Sequence, residues 1–251
     1  MRTEQTPTPC VNIQNLEYTW ANGVRALSIR RLYIRQGERL FLQGPSGSGK
    51  STLLGVIAGV FAPTAGEATI LGQPFHTMTA AARDRVRADA MGVIFQQFNL
   101  VPYLNLVENV LLPCRFSRRR AERVGSTGAE RIDKATHLLS RLGLEEEAQT
   151  NRSAAELSVG QQQRVAAARA LIGSPSLIIA DEPTSALDAE TRDAFIETLL
   201  SEAQHAAVLF VSHDALLSKH FDRLIAIENI NFSQDEHAVS LPQSAPARAE
   251  A

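Results

Sequence analysis

Gly44-Pro45-Ser46-Gly47-Ser48-Gly49-Lys50-Ser51 sets glycines, a lysine and hydroxyls at the spacing G-x-x-x-x-G-K-[ST]. Residues of these types in this order suit one task, the holding of a polyphosphate. Gly44, Gly47 and Gly49 let the chain turn tightly and bring its N–H groups close to phosphate oxygens. Lys50 supplies a point charge for the β- and γ-phosphates, and the Ser51 hydroxyl is a hard ligand for Mg²⁺. The flanks agree with this chemistry. Arg39-Leu40-Phe41-Leu42-Gln43 reads as a strand leading in, and Thr52 to Gly59 as a helix leading out. A helix start adds further unpaired N–H groups at the same point. A Gly/Ser loop that matched by chance would lack that strand and that helix. The loop by itself does not say which kind of nucleotide-binding protein carries it.

Three more groups of residues could act on a bound nucleotide. Leu177-Ile178-Ile179-Ala180-Asp181 is an apolar strand that ends in acid, with Glu182 next. An aspartate there can hold the Mg²⁺ that bridges phosphates, and the following glutamate can orient or deprotonate the attacking water. Without the glycine loop upstream, solvated acids at a strand end would be as good a reading. Ala207 to Ser212 is a second apolar strand, and His213 follows it as a donor to a phosphate oxygen. Leu157-Ser158-Val159-Gly160-Gln161-Gln162-Gln163-Arg164 opens a helix with Ser158 as its cap, and the helix stops at Gly173. A capped helix N-terminus is a second anion site, separate from the first. One nucleotide does not need two such sites from one subunit, so the second is expected to serve a nucleotide bound to another copy.

The elements that must position these residues can be read from pattern. Continuous apolar strands belong in the middle of a parallel sheet covered on both faces, and ligands bind at the carboxyl ends of such strands. Before the loop, Val11-Asn12-Ile13, Leu27 to Ile34 and the turns Ala21-Asn22-Gly23 and Gln36-Gly37-Glu38 suggest short strands. With Gly66 to Gly72 they predict an antiparallel β layer beside the parallel core. Ala80 to Ala90 reads as a charged helix, and Met91 to Phe95 as a strand ending in Gln96-Gln97. Leu104 to Ile172 is mostly helical in pattern, with Ile132 to Leu142 amphipathic and closed by Gly143. Arg118-Arg119-Arg120 and Gly125 to Gly128 are read as an exposed, solvated loop. Residues 1–9 and 233–251 read as flexible ends.

Composition sets outer limits. The 251 residues suffice for one large α/β domain or a core with subdomains. A net charge of −2 gives no reason to expect nucleic acid as a partner. Cys10 and Cys114 lie far apart and are expected to be reduced thiols. No apolar run reaches eighteen residues and the N-terminus has no signal-like core, so any membrane role is expected to come through a partner.

In order and spacing these motifs resemble the ATP-binding subunits of ABC transporters, over roughly Asn12 to Phe232. Gly44 to Ser51 match the family's Walker A, Gln96 its Q-loop glutamine, and Leu157 to Gln161 its LSGGQ signature. Asp181 and Glu182 match Walker B, Ser185-Ala186-Leu187-Asp188 the D-loop, and His213 the switch histidine. The glycine loop is shared with many ATPases, whereas a signature between it and Walker B is specific to this superfamily. Val159 departs from the pattern, since the family usually has glycine there. The resemblance implies an α/β fold: a P-loop NTPase with a RecA-like parallel-sheet core, an antiparallel β subdomain and a helical signature subdomain at about 97–172, within an ATPase domain at 10–232.

It also implies roles. Gly44, Pro45, Ser46, Gly47, Ser48, Gly49, Lys50, Ser51 and Thr52 would hold ATP, with Ser158, Gly160, Gln161 and Asp188 acting across a dimer interface. Ser51, Gln96 and Asp181 would ligate Mg²⁺, and Glu182, His213 and Gln96 would serve hydrolysis. An aromatic residue upstream of the loop would stack on adenine, and Trp20 fits the spacing better than Tyr18. Two copies, expected to be identical, would close head to tail on two ATP molecules. Gln96 and the apolar Phe98, Leu100, Val101 and Tyr103 would pass that motion to a permease helix.

The string Phe95 to Pro102, with Glu108 to Pro113 and Gly160 to Arg164, is similar to the lipoprotein-release and macrolide-efflux ATPases. Their permeases have few spans and a large external domain. The chain would then sit peripherally on the cytoplasmic face of the inner membrane. The absence of an added C-terminal regulatory domain also fits that type. ATPases of amino acid or phosphonate importers carry similar strings and are the nearer rival. Repair and translation ATPases of the superfamily are more distant, because they need a long insertion or two cassettes in one chain.

Overall fold

The computed structural model describes residues 9–233 apart from Ala186 and Asp188. The flexible ends expected at 1–9 and 233–251 lie outside the described residues except for Pro9 and Ser233.

The strands are β1 (Val11–Thr19), β2 (Arg25–Ile34), β3 (Arg39–Gln43), β4 (Ala65–Ile70), β5 (Gln73–Pro74), β6 (Met91–Ile94), β7 (Leu177–Asp181), β8 (Ala207–Ser212) and β9 (Arg223–Ala226). The helices are α1 (Lys50–Ile57), α2 (Ala80–Ala90), α3 (Leu106–Phe116), α4 (Arg118–Val124), α5 (Gly128–Arg141), α6 (Glu145–Ala148), α7 (Val159–Leu171) and α8 (Ala189–Glu202). They build two sheets. One has the order β2-β1-β4-β5 with antiparallel pairs, and the other the order β6-β7-β8-β3-β9 with parallel pairs.

Period-two alternation divides the parallel sheet between two cores. Ile178, Ala180, Val208, Phe210, Phe41 and Ile94 face the helices and pack with α3, α5, α7 and α8. Leu177, Ile179, Leu209, Val211, Leu40 and Leu42 face the other way, onto α1 and the antiparallel sheet. Both faces of β7 and β8 are therefore covered, which is why these strands read as unbroken apolar runs. Gly92 lets α7 lie directly on β6, since a Cβ there would come within 2.3 Å of the Ala170 carbonyl.

The triple-arginine stretch corrects the sequence reading. Arg118 and Arg119 are exposed as read, but the stretch is not a loop: it starts helix α4, capped by Ser117, whose Oγ accepts from the Arg120 N–H at 3.0 Å. Arg120 is 3% exposed and donates to the Met91 carbonyl at 2.6 Å. Burial, with Arg123 close by, pushes its guanidinium down to about 10. Ser117 also donates to Asp89 at 2.6 Å, so α4 docks on the junction of α2 and β6. Arginine can make this contact because its fork satisfies carbonyls while its stem packs.

Candidate functional site

The carboxyl ends of four parallel strands meet in one row. Gln43 of β3 lies beside Ser212 of β8, and Asp181 of β7 beside Val211. From β3 the chain runs through 44–49 into α1, which begins at Lys50. Gln96 follows β6 by two residues, and His213 follows β8 directly. A cavity of about 910 Å³ opens above this row. Ser46, Gly47, Gly49, Lys50, Ser51 and Thr52 line one side, and Gln96, Asp181, Glu182 and His213 another. Gly44, Pro45 and Ser48 stand behind that wall. A Cβ on Gly44 would come within 2.4 Å of Ile227, and Ser48 is buried with its Oγ donating to the Pro45 carbonyl at 2.8 Å.

Lys50 is 7% exposed and donates to the Gly44 and Pro45 carbonyls at 2.8 and 2.6 Å. Its ammonium is thus held at the rim of the loop by two carbonyl dipoles. Gly49 caps α1 with φ +96° and no side chain in the way, which leaves the helix N-terminus open to the cavity. Ser51 Oγ donates to the Asp181 carboxylate at 3.0 Å. Burial raises the Asp181 pKa, which the Ser51 hydrogen bond and the Lys50 charge partly offset. A half-buried carboxylate beside a hydroxyl, with the Gln96 amide on the same cavity, is a set of hard oxygens that favours a small divalent cation. Among the described residues no group of three His, Cys, Asp or Glu is placed to hold a metal. The oxygen set at this site therefore leaves coordination positions for phosphate and water.

Glu182 stands in the left-handed region with φ +44°. For a glutamate that conformation costs about 1–3 kcal/mol and persists only where the surroundings enforce it. Here the Glu182 N–H donates to the Val211 carbonyl at 3.0 Å, which carries the β7–β8 ladder one residue past the strand. The carboxylate is turned toward His213, with 3.1 Å between Oε2 and Nδ1.

Three aromatics gather at the other end of the cavity. Tyr18 and Trp20 meet edge to face at 4.9 Å, and both meet Phe61, at 5.4 and 5.2 Å. Trp20 is 38% exposed and lines the cavity, while Tyr18 packs against the apolar core. This separates the two aromatic candidates.

Ser158, Gly160 and Gln161 do not line this cavity. They form the start of α7. Ser158 Oγ accepts from the Gln161 N–H at 3.3 Å, and Gln161 Oε1 accepts from the Ser158 N–H at 2.9 Å. Gln161 Nε2 donates to Glu147 at 2.6 Å, so its side chain is committed within the subunit. Val159 is 52% exposed and keeps a negative φ. Nothing in the backbone at this position calls for glycine. Asp188 lies outside the described residues.

Val24, Arg25, Ala26 and Ser233 also line the cavity and were not read from sequence. Nothing in their types marks them. The β1–β2 turn sets Val24 and Arg25 beside Trp20 and Thr19, and the Ile29–Asn231 bridge brings the segment after β9, with Ser233, to β2. Phe98 and Asn99, just past Gln96, have φ of +57° and +49°. Phe98 is buried core, whereas Tyr103 projects into solvent.

Comparison with known proteins agrees with this geometry. The sequence model of a family described as ABC transporter matches residues 27–185. An uncharacterized ABC transporter ATP-binding protein, YbbA of Escherichia coli (strain K12), is 40% identical over 224 residues, 87% of this chain and 94% of that protein. The uncharacterized ABC transporter ATP-binding protein MJ0796 of Methanocaldococcus jannaschii is 38% identical over 231 residues, 90% of this chain and 96% of that protein. A dimeric structure of the MJ0796 cassette in a post-hydrolysis state, bound to ADP and Pi, superposes with a TM-score of 0.78 over 88% of this chain and 94% of that one. The macrolide export ATP-binding/permease protein MacB 2 of Aeromonas hydrophila is 34% identical over 231 residues, which cover 90% of this chain and 34% of that protein. The chain belongs to the ABC transporter family, of which it is an ATP-binding subunit.

Proposed function

We propose that this chain binds and hydrolyses ATP as one of two copies that close on the nucleotide and drive a membrane permease of the exporter type. The observation that carries the reading is the single cavity shared by the glycine loop, Gln96, Asp181, Glu182 and His213, with the capped start of α7 outside it.

The residues divide the work. Trp20 offers a π-face to adenine. N–H groups of 46–52 surround the phosphates, and Lys50 exchanges two carbonyl partners for charged phosphate oxygens, which bind an ammonium more strongly. Ser51 and Asp181, with Gln96, would hold Mg²⁺, which when bound neutralises charge on the phosphates. Glu182 takes the proton of the attacking water, and His213 holds its carboxylate in place and reaches a phosphate oxygen. The α7 N-terminus of the second copy, with Ser158 and Gly160, faces the same phosphates; Asp188 is assigned to the interface by motif. ATP favours the closed pair because only that state gives it both anion sites, and hydrolysis removes the preference.

Gln96 would pass the change outward. Beside it Phe95, Leu112, Pro113 and Phe116 line a groove of about 480 Å³, with Phe95 and Phe116 exposed. A permease helix fits such a groove. No helix among the described residues is long and apolar enough to cross a membrane. Position at the inner face of the membrane would therefore come through that partner. The similarity to an export protein and the string Phe95 to Pro102 favour export.

Tagged Glu182→Gln protein, purified with ATP from detergent-solubilised membranes, is expected to bring down a permease with few spans and a large external domain. Recovery of a many-span permease encoded beside a solute-binding protein would replace export by import. Soluble partners alone, across repeats, would contradict the transport reading.

A further inference from the structure

We infer that Asn231 is a positioning residue for the phosphate loop. It sets the plane of the Ser48–Gly49 peptide and the distance from that loop to the wall that carries Trp20. The inference rests on the assignment of the cavity to ATP.

Asn231 lies 183 residues from Ser48, in the segment that follows β9. Its carboxamide uses all of its hydrogen-bonding positions. Oδ1 accepts from the Ser28 N–H at 2.8 Å and from the Ser233 N–H at 3.3 Å. Nδ2 donates to the Ala26 carbonyl at 3.0 Å and to the Ser48 carbonyl at 3.1 Å. One side chain thus joins three stretches of backbone: strand β2, the glycine loop and its own segment. That segment is itself fixed. The Asn231 N–H donates to the Ile227 carbonyl at 2.8 Å, and the Phe232 N–H to the Ser28 carbonyl at 2.9 Å.

The consequence follows from peptide geometry. In a planar trans unit the C=O and the N–H point in opposite directions. Holding the Ser48 carbonyl on Asn231 therefore turns the Gly49 N–H the other way, and Gly49 lines the nucleotide cavity. Gly49 also sits where a Cβ would come within 2.9 Å of both Asn231 Nδ2 and the Ala26 carbonyl. The bracket and the glycine were built as one close contact. Ala26 lines the cavity as Gly49 does, so the two Nδ2 bonds tie this part of the β2 wall directly to the phosphate loop. Acting through the loop rather than on the nucleotide, Asn231 governs binding more than turnover.

Asn231→Asp keeps the shape and the two accepted bonds but removes both donated ones. Its Kd for MgATP, read with a fluorescent ATP analogue, is expected to rise about tenfold, the size of two lost neutral hydrogen bonds. The KM for hydrolysis should rise with it while kcat at saturation stays within about twofold. Asn231→Ser, too short to span to Ser48, should give the same shift and serves if the aspartate variant does not fold. Asn109→Asp is the control. That buried amide makes the same kind of bracket among residues that do not line the cavity, donating to Val101, Leu104 and Asn105 carbonyls at 3.1 Å. It should lower Tm and leave Kd alone. Unchanged Kd in both Asn231 variants, or a loss confined to Tm as in the control, overturns the inference. Wild-type protein without affinity for ATP overturns it together with the cavity assignment, and is told apart because it appears before any substitution.

Discussion

Glu182→Gln is expected to bind MgATP as the wild type does and to hydrolyse it about a thousandfold more slowly, the middle of the range for a positioned general base. The substitution is close to isosteric. It leaves the Glu182 N–H on the Val211 carbonyl, and the amide can still meet His213. It removes the charge proposed to take the proton from water. Nothing in the glycine loop or at Asp181 is disturbed, so the binding side of the site remains. Because ATP then persists, the closed pair should accumulate and become visible by light scattering with ATP and absent without it. The left-handed backbone at Glu182 supports the assignment, since a conformation that costs about 1–3 kcal/mol survives where the placement of the side chain repays it. Steady-state phosphate release at the wild-type rate would remove Glu182 from its role.

Lys50→Ala is expected to weaken ATP binding by at least about a hundredfold, as read by titration with a fluorescent analogue. Hydrogen bonds to charged groups contribute about 1.5–3 kcal/mol, and two such bonds to phosphate oxygens are lost. A second cost adds to this. The Gly44 and Pro45 carbonyls lose the donor that tethers the loop between ligands. Affinity equal to wild type would contradict the phosphate-binding assignment of the loop.

What the sequence makes legible here follows from where each signal is local. The glycine loop, the acid at the end of β7 and the Ser158 cap are written in consecutive residues, and the structure places them as read. β7 and β8 are plain because both their faces are buried, which leaves no polar positions to blur the run. β1 is harder. It extends from Val11 to Thr19, well beyond Val11-Asn12-Ile13, because Asn15 at φ +47° and a bulge near Thr19 break the alternation while the ladder continues. The arginines of α4 mislead for a different reason. Charge pattern marks them as solvated, which holds for Arg118 and Arg119, but carbonyls at Met91 and Gly173, distant in sequence, receive Arg120 and Arg123. Asn231 is hidden in the same way. Its partners are Ala26, Ser28 and Ser48, and only the closed fold brings them to it. The second anion site at Ser158 is legible as a helix cap, yet the target proposed for it belongs to another molecule.

That target is the central claim, and mixing tests it. Lys50→Ala protein lacks a competent loop, and Ser158→Arg protein lacks a competent helix start, so each alone should hydrolyse ATP at no more than a few per cent of wild type. In an equimolar mixture, half of the random pairs combine one of each and hold one site with both parts intact. Hydrolysis well above the sum of the two separate rates is the expected result. A mixture no faster than that sum, with Ser158→Arg alone as active as wild type, would show that each site is complete within one chain.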